Sequence, residues 1–218
     1  NGIAVGASEN TTTTGLGNVP WLLLSFCFAT QPISTDTMAS NPNGMAAFSS
    51  RGPTDDGRMK PDIVAPGSNV ISNRSFAPGA STLGGAHETN FNYVYSPGTS
   101  MAAPQVAGMT ALIREWVGRS GMANPSAAMI KAILLNTTAS MAPGQYDPTL
   151  YQEIPYTTPN SVNGWGRADL HWVAQNAPSG HWFADHTTGL STNQEVTYTS
   201  NASQSLQVYT STQPLRVM

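Results

Sequence analysis

The segment with the clearest chemical potential is Gly98-Thr99-Ser100-Met101-Ala102-Ala103-Pro104-Gln105-Val106-Ala107-Gly108. Its small residues predict a helix that starts near Thr99 and is buried on most sides. A serine in the first turn of such a helix is well placed as a nucleophile. The helix dipole and the unpaired backbone N–H groups there favour negative charge, so they stabilise an oxyanion formed during attack. Gly98 leaves room for a substrate carbonyl. The competing reading is an ordinary cap, since serine and threonine are common at helix N-termini. On the residues alone the cap is favoured.

Other candidates are sparse. Four histidines are present, His87, His171, His181 and His186. Asp62 lies in Lys60-Pro61-Asp62-Ile63-Val64-Ala65-Pro66-Gly67, a brief apolar strand closed by a Pro-Gly turn. Asp55-Asp56-Gly57 reads as a solvated turn rather than an ion site, and it lacks the ligand spacing of an EF-hand. The single cysteine, Cys27, excludes an internal disulfide and a Cys-rich metal centre. Asn10, Asn73, Asn136 and Asn201 head Asn-x-Ser/Thr sequons, as expected by chance in a chain rich in Ser and Thr.

The elements that must position Ser100 can be read around it. Ile3 to Ala7 is a short apolar strand, Pro61 to Gly67 a second and Asn69 to Ser72 a third, followed by a Gly-rich loop over 77–90. The serine helix runs to about Val117, with Thr99 or Ser100 as its cap and Pro104 tolerated in its first turn. Asn124-Pro125-Ser126 starts another helix with an apolar stripe through Ala128, Ile130, Leu134 and Leu135. Gly164-Trp165-Gly166-Arg167 makes a turn, and Ala168 to Ala174 a short closing helix. Val19 to Ala29 is apolar but too short to cross a bilayer, which needs about 20 residues; it reads as a buried strand or an insertion packed on the core. Beyond residue 184, Glu195 to Thr199 and Leu206 to Thr210 alternate with period two, the mark of an all-β module.

The segment around Ser100 resembles the nucleophile motif of the subtilisin-like serine proteases, the subtilase family. Phe48 to Gly67, with Ser-Ser-Arg-Gly-Pro and Lys-Pro-Asp-Ile-Val-Ala-Pro-Gly, resembles the family's approach to that motif. Met129 to Leu135 resembles the following helix, Gly164 to Ala168 the closing turn and Asn1 to Glu9 the preceding strand. The similarity runs over about residues 1 to 180, nearest to bacterial alkaline subtilases with a C-terminal β-domain. It implies an α/β fold: a largely parallel sheet with flanking helices, here the C-terminal part of the peptidase domain over 1–183. A β-sandwich or jelly-roll module then begins at 184–218.

By the same resemblance, the function is serine endopeptidase action on polypeptides through an acyl-enzyme on Ser100. Gly98 and Thr99 border the oxyanion site. The family's triad His and Asp precede the serine, so both are expected upstream of this chain, in a missing N-terminal half that would be its partner. The opening at Asn1-Gly2-Ile3, mid-strand, agrees with a piece of something longer. His87, followed by Glu88-Thr89 rather than Gly-Thr, does not match the family's base. Asp62 matches a structural position, a buried hydrogen-bond acceptor. Gln105 stands where His is common and points away from the nucleophile face. The chain alone is expected to be inactive; the rival reading is a non-catalytic fragment or pseudo-protease serving as a binding unit. No cofactor is required for the chemistry, and structural calcium is a family habit without an identifiable ligand set here.

Composition bounds the remainder. Charged residues are only 10% of the 218, against roughly 25% in ordinary soluble proteins, so Ser, Thr, Asn and Gly do the solvating. That balance suits a secreted hydrolase. A net charge of −3 with no Lys/Arg cluster argues against a nucleic-acid partner, and no segment argues for a membrane one.

Overall fold

A computed structural model describes residues 2–171 together with 173, 185 and 191–193. The expected boundary near residue 184 and the β-module after it lie outside the described residues, as do His181, His186 and Asn201.

Two apolar tetrapeptides make the centre. β1 (Val5–Ser8) and β2 (Ile63–Pro66) pair in parallel, Val5 opposite Ile63 and Ser8 opposite Pro66. Ala7, Ile63, Val64 and Ala65 are fully buried, as befits parallel strands covered on both faces. On the far side of β2, Val64 donates to the Gly166 carbonyl (3.0 Å) and accepts from Ala168 (2.9 Å). Residues 165–168 thereby continue the layer, and Arg167 pairs in turn with Ala139. Gly164, at φ 62°, is required there because a Cβ would stand 2.2 Å from the Asp62 carbonyl. The parallel sheet expected from the sequence is present, small among the described residues.

β3 (Val70–Asn73) and β4 (Tyr93–Ser96) form an antiparallel hairpin that leads directly to α2 (Thr99–Arg119). The buried stripe of α2, Ala102, Val106, Ile113 and Val117, has the spacing of one helical face and packs on β1 and β2. α3 (Ala127–Asn136) packs against α2, burying Met129, Ile130, Ile133, Leu134 and Leu135. Ser126 caps α3 as expected, its Oγ accepting from Met129 N at 3.1 Å. Asp185 reinforces that cap by accepting from Ser126 N (2.6 Å) and Oγ (2.7 Å). His171 and Val173 are helical, the start of the expected closing helix.

Three expectations are corrected. The cap of α2 is Gly98, not Thr99 or Ser100, and no side chain bonds the first turn as a cap. Pro104 is therefore the sixth helical residue, in the second turn, where its missing N–H leaves the Ser100 carbonyl without its helix partner. α2 is also buried on one face rather than most: Ala103, Ala107, Gly108, Ala111 and Leu112 are exposed. Small residues permit close packing, but burial also needs a neighbour. Finally, Val19 to Ala29 forms no strand; of the two readings it is the insertion packed on the core that the structure shows. It folds as α1 (Trp21–Leu24) and a 3-10 turn (Phe26–Phe28), anchored by the fully buried Trp21 ring edge-on to Phe28 and Phe48, while Leu23 and Phe26 stay exposed. A 3-10 turn (Ile33–Thr35) and a short α4 (Pro148–Tyr151) complete the described elements.

Candidate active site

The two strands end where α2 begins. Gly67, just past β2, donates to the Ser8 carbonyl at the end of β1 (3.0 Å), and its own carbonyl accepts from Gly98 N (2.8 Å). A Cβ on Gly67 would lie 2.5 Å from Ala7 Cβ and 2.9 Å from the Gly98 oxygen. The β2 turn and the serine loop thus touch backbone to backbone, which only glycine permits. Gly98 itself has φ 149° and ψ 154°, a conformation closed to side chains, and it swings the chain from β4 into the helix. The Met101 N–H then closes a tight first turn on the Gly98 carbonyl (3.0 Å).

Ser100 emerges from this turn as the second residue of α2, exposed, and its Oγ bonds no other described residue. The Thr99 and Ser100 N–H groups likewise have no acceptor among the described residues. Open donors at a helix N-terminus beside a free hydroxyl suit the stabilisation of a developing oxyanion. Gly98, Thr99 and Ser100 together form the turn that opens α2. On the partly buried side of the helix, Gln105 Nε2 donates to the Pro66 carbonyl (2.6 Å) and the Met101 carbonyl (3.0 Å).

The other candidates stand apart. The His87 ring stacks on Tyr95 with centroids 5.6 Å apart, accepts from Thr89 N at 3.3 Å and lies 3.9 Å from Glu88. Glu88 accepts from Tyr95 Oη and from Gly15 N, and the Tyr95 bond above all holds its carboxyl below its ordinary value. His171 sits on Asp169 through its backbone N–H.

Asp62 is buried and accepts from Ala4 N at 2.7 Å, the structural role expected of it. It also pairs with two cations that no motif announced, Lys60 Nζ at 2.7 Å and Lys131 Nζ at 3.2 Å. Burial disfavours its charge, yet the Lys60 ammonium, the Ala4 N–H and Lys131 together hold the carboxyl below its ordinary value. Asp56 is bonded by Thr54 and Arg58. Among the described residues no three His, Cys, Asp or Glu side chains group as an ion site, so no calcium ligand is assigned.

A second polar centre was missed entirely by sequence reasoning. Glu9, at the end of β1, is fully buried. Its Oε1 accepts from Trp21 Nε1 and Gln145 Nε2, both at 3.1 Å, and its Oε2 from Ser40 N, Ser40 Oγ and Asn41 N at 3.1–3.3 Å. Asp36 shares Ser40 Oγ (3.0 Å) and accepts from Tyr146 Oη (2.9 Å). Glu153 accepts from Met45 N and Gln145 N, both at 3.1 Å. Burial, then the charge of Asp36, pushes the Glu9 carboxyl up to about 7. Burial also raises Glu153 and the Tyr146 hydroxyl. The only sequence signal was a Glu directly after four strand residues.

A buried two-strand parallel layer, its ends meeting a glycine-entered helix that carries an exposed serine, defines an α/β fold with a candidate serine-nucleophile site. The profile of the Subtilase family (peptidase S8) matches residues 1–166, and the chain belongs to that family. Serine protease AprX of Bacillus subtilis is 37% identical over 131 residues, 59% of this chain and 28% of AprX. The serine protease/ABC transporter B family protein tagB of Dictyostelium discoideum is 31% identical over 195 residues, 78% of this chain and 10% of tagB. The minor extracellular protease Vpr of B. subtilis is 38% identical over 102 residues, 44% of this chain and 10% of Vpr. The chain thus spans a small part of each relative. Among the described residues no helix is long and apolar enough to cross a membrane.

Proposed function

We propose that this chain carries the nucleophile of a secreted serine endopeptidase and that Ser100 is that nucleophile. The observation that carries the reading is the exposed, unbonded Ser100 hydroxyl beside open N–H groups at the start of α2. Ser100 Oγ attacks the scissile carbonyl carbon of a polypeptide, and its proton passes to a histidine base. The tetrahedral oxyanion is held by the Ser100 N–H, with Gly98 and Thr99 shaping the space around it. Collapse expels the amine, reprotonated by the same base, and leaves an ester on Ser100. Water then attacks the ester and regenerates the hydroxyl. No cofactor takes part.

By the family resemblance, the base and its aspartate would come from an upstream half of the peptidase domain; among the described residues no histidine or aspartate bonds Ser100. The exposed face of α2 at Ala103, Ala107, Ala111 and Leu112 is small and apolar, a surface that such a half would cover. Secretion is supported by the low charge content and by the extracellular relative.

The test is a fluorophosphonate label and a fluorogenic peptide assay, run with and without the upstream half. The half plus this chain should label Ser100 and turn over peptide, and Ser100→Ala should abolish both. This chain alone should do neither, because base catalysis is worth typically 10²–10⁴-fold and the triad acts as a unit. Turnover by the assembled Ser100→Ala variant would sink the assignment. Ser100-dependent turnover by this chain alone would sink the upstream base.

A further inference from the structure

We propose that Gln105 is a positioning residue for Ser100, clamping the first turn of α2 to the end of the parallel sheet. The inference rests on Ser100 being the nucleophile proposed above.

The first turn of α2 is poorly held by the helix itself. The Met101 N–H bonds one residue short of the regular ladder, on the Gly98 carbonyl at 3.0 Å. Pro104 has no N–H to offer the Ser100 carbonyl, four residues before it. Ser100 therefore sits between a tightened turn and a missing bond. A loosely held backbone is a poor mount for a nucleophile, because catalysis depends on reacting atoms held at close distance and correct angle.

Two contacts to the β2 end of the sheet make up the deficit. Gly98 N is fixed to the Gly67 carbonyl at 2.8 Å, before the serine. Gln105 Nε2 forks between the Pro66 carbonyl (2.6 Å) and the Met101 carbonyl (3.0 Å), behind it. Pro66 is the last residue of β2 and lies opposite Ser8 of β1, and Gly67 bonds the Ser8 carbonyl, so both contacts end on the sheet. Ser100 is held between them.

The task needs a neutral side chain with two N–H donors at this reach. A primary amide supplies one hydrogen to each carbonyl. Glutamate would aim lone pairs at both oxygens, alanine would reach neither, and a histidine N–H could serve only one of them. The bonded carbonyls are neutral and the Gln105 side chain is only half-buried, so a small effect on overall stability is expected beside a larger one on geometry.

Two measurements test the proposal. In the protease assembled with its upstream half, first-order inactivation by a fluorophosphonate (kinact) and the inhibitor's KI are measured separately. Gln105→Ala should lower kinact about tenfold, equivalent to about 1.4 kcal/mol in the barrier, with KI and the thermal midpoint nearly unmoved. Gln105→His should recover part of the loss, and Gln105→Glu should fall at least as far as alanine. In this chain alone, amide hydrogen exchange at Met101 and Ala102 should quicken in Gln105→Ala, while residues 110–119 stay protected. Unchanged exchange at Met101 and Ala102 would overturn the clamp. Equal kinact in parent and Gln105→Ala would overturn its catalytic consequence, as would a loss that follows the thermal midpoint. If the assembled parent takes no label on Ser100, the proposed nucleophile has failed instead, and the exchange data still decide whether Gln105 holds the turn.

Discussion

Glu9→Gln should lower the acid-side stability of this chain and weaken its dependence on pH between about 4.5 and 7. Glu9 is fully buried at the end of β1 and receives five hydrogen bonds. Its carboxyl is raised from an ordinary 4.5 to about 7, by burial first and the Asp36 charge second. The arrangement around Ser40 shows where the proton goes. Ser40 Oγ has one hydrogen but stands 3.1 Å from Glu9 Oε2 and 3.0 Å from Asp36 Oδ1. With Glu9 protonated, its hydroxyl donates to Ser40 Oγ and the Ser40 hydrogen goes to Asp36. With both carboxylates charged, one of them loses a donor and the two repel.

The sign follows from linkage. Between 4.5 and about 7 the unfolded chain has released the Glu9 proton while the folded chain still holds it. Rising pH therefore favours the unfolded state across that window. At ~1.4 kcal/mol per pH unit the loss is on the order of 3 kcal/mol, complete above about 7 and absent below the unfolded value. Glu153, also raised by burial, acts in the same direction. Asp62, held low, acts oppositely and costs stability only as pH falls below the ordinary carboxylate range. Stability should thus peak in mild acid. Glutamine cannot titrate, and its NH₂ must face the Ser40 and Asn41 N–H groups or those of Trp21 and Gln145, which costs about 1–3 kcal/mol. Urea unfolding followed by tryptophan fluorescence is a suitable assay, because Trp21 Nε1 bonds Glu9 directly. The parent midpoint should fall between pH 5 and 7.5, and the variant's should start lower and fall less, by what Glu153 alone contributes. A parent curve flat or rising over that range would refute the reasoning.

Two further substitutions probe the site's frame. Gly67→Ala places a Cβ 2.5 Å from Ala7 Cβ and 2.9 Å from the Gly98 oxygen, and should cost roughly 1–3 kcal/mol while slowing Ser100 labelling in the assembled protease. Gly108→Ala, where nothing lies within 4 Å, is the control and should gain roughly 0.5–1 kcal/mol in the same urea titration. Lys131→Met removes one cation from Asp62 and the donor to the Gly2 carbonyl. It should cost about 1–3 kcal/mol at pH 7, little at pH 2, and move the acid-unfolding midpoint to higher pH.

What the sequence made legible was local or motif-borne. The Val5–Ser8 and Ile63–Pro66 strands, the Ser126 cap and the helix carrying Ser100 each follow from a few adjacent residues. The burial of α2 did not, because Ala103 and Ala111 say only that a neighbour could approach, not that one is described there. The Thr99 or Ser100 cap failed because Gly98 takes that place through a backbone angle no propensity scale encodes. The Glu9 centre was invisible for a different reason. Its parts, at 9, 36, 40, 145 and 153, share no period or motif and meet only through tertiary folding. Lys131 reaches Asp62 across 69 residues of chain in the same way.

The position of Ser100 follows from the sheet rather than from the helix. Parallel strands end on one edge, and in α/β folds that carboxyl edge is where side chains from successive connections converge. Here β1 ends at Ser8 and β2 at Pro66, opposite each other, so the connection after each starts from the same edge. The α2 helix can approach that edge only if nothing larger than a methyl intervenes, and Ala7, Gly67 and Ala102 meet that condition: a Cβ on Gly67 would already touch both alanines, at 2.5 and 3.3 Å. Once the helix is that close, its first N–H groups cannot be covered by a long capping side chain, and Gly98 supplies none. The exposed hydroxyl and the uncapped donors beside it are two results of one packing constraint. Enlarging Gly67 should therefore disturb both together, whereas a change on the outer face of α2, such as Gly108→Ala, should disturb neither.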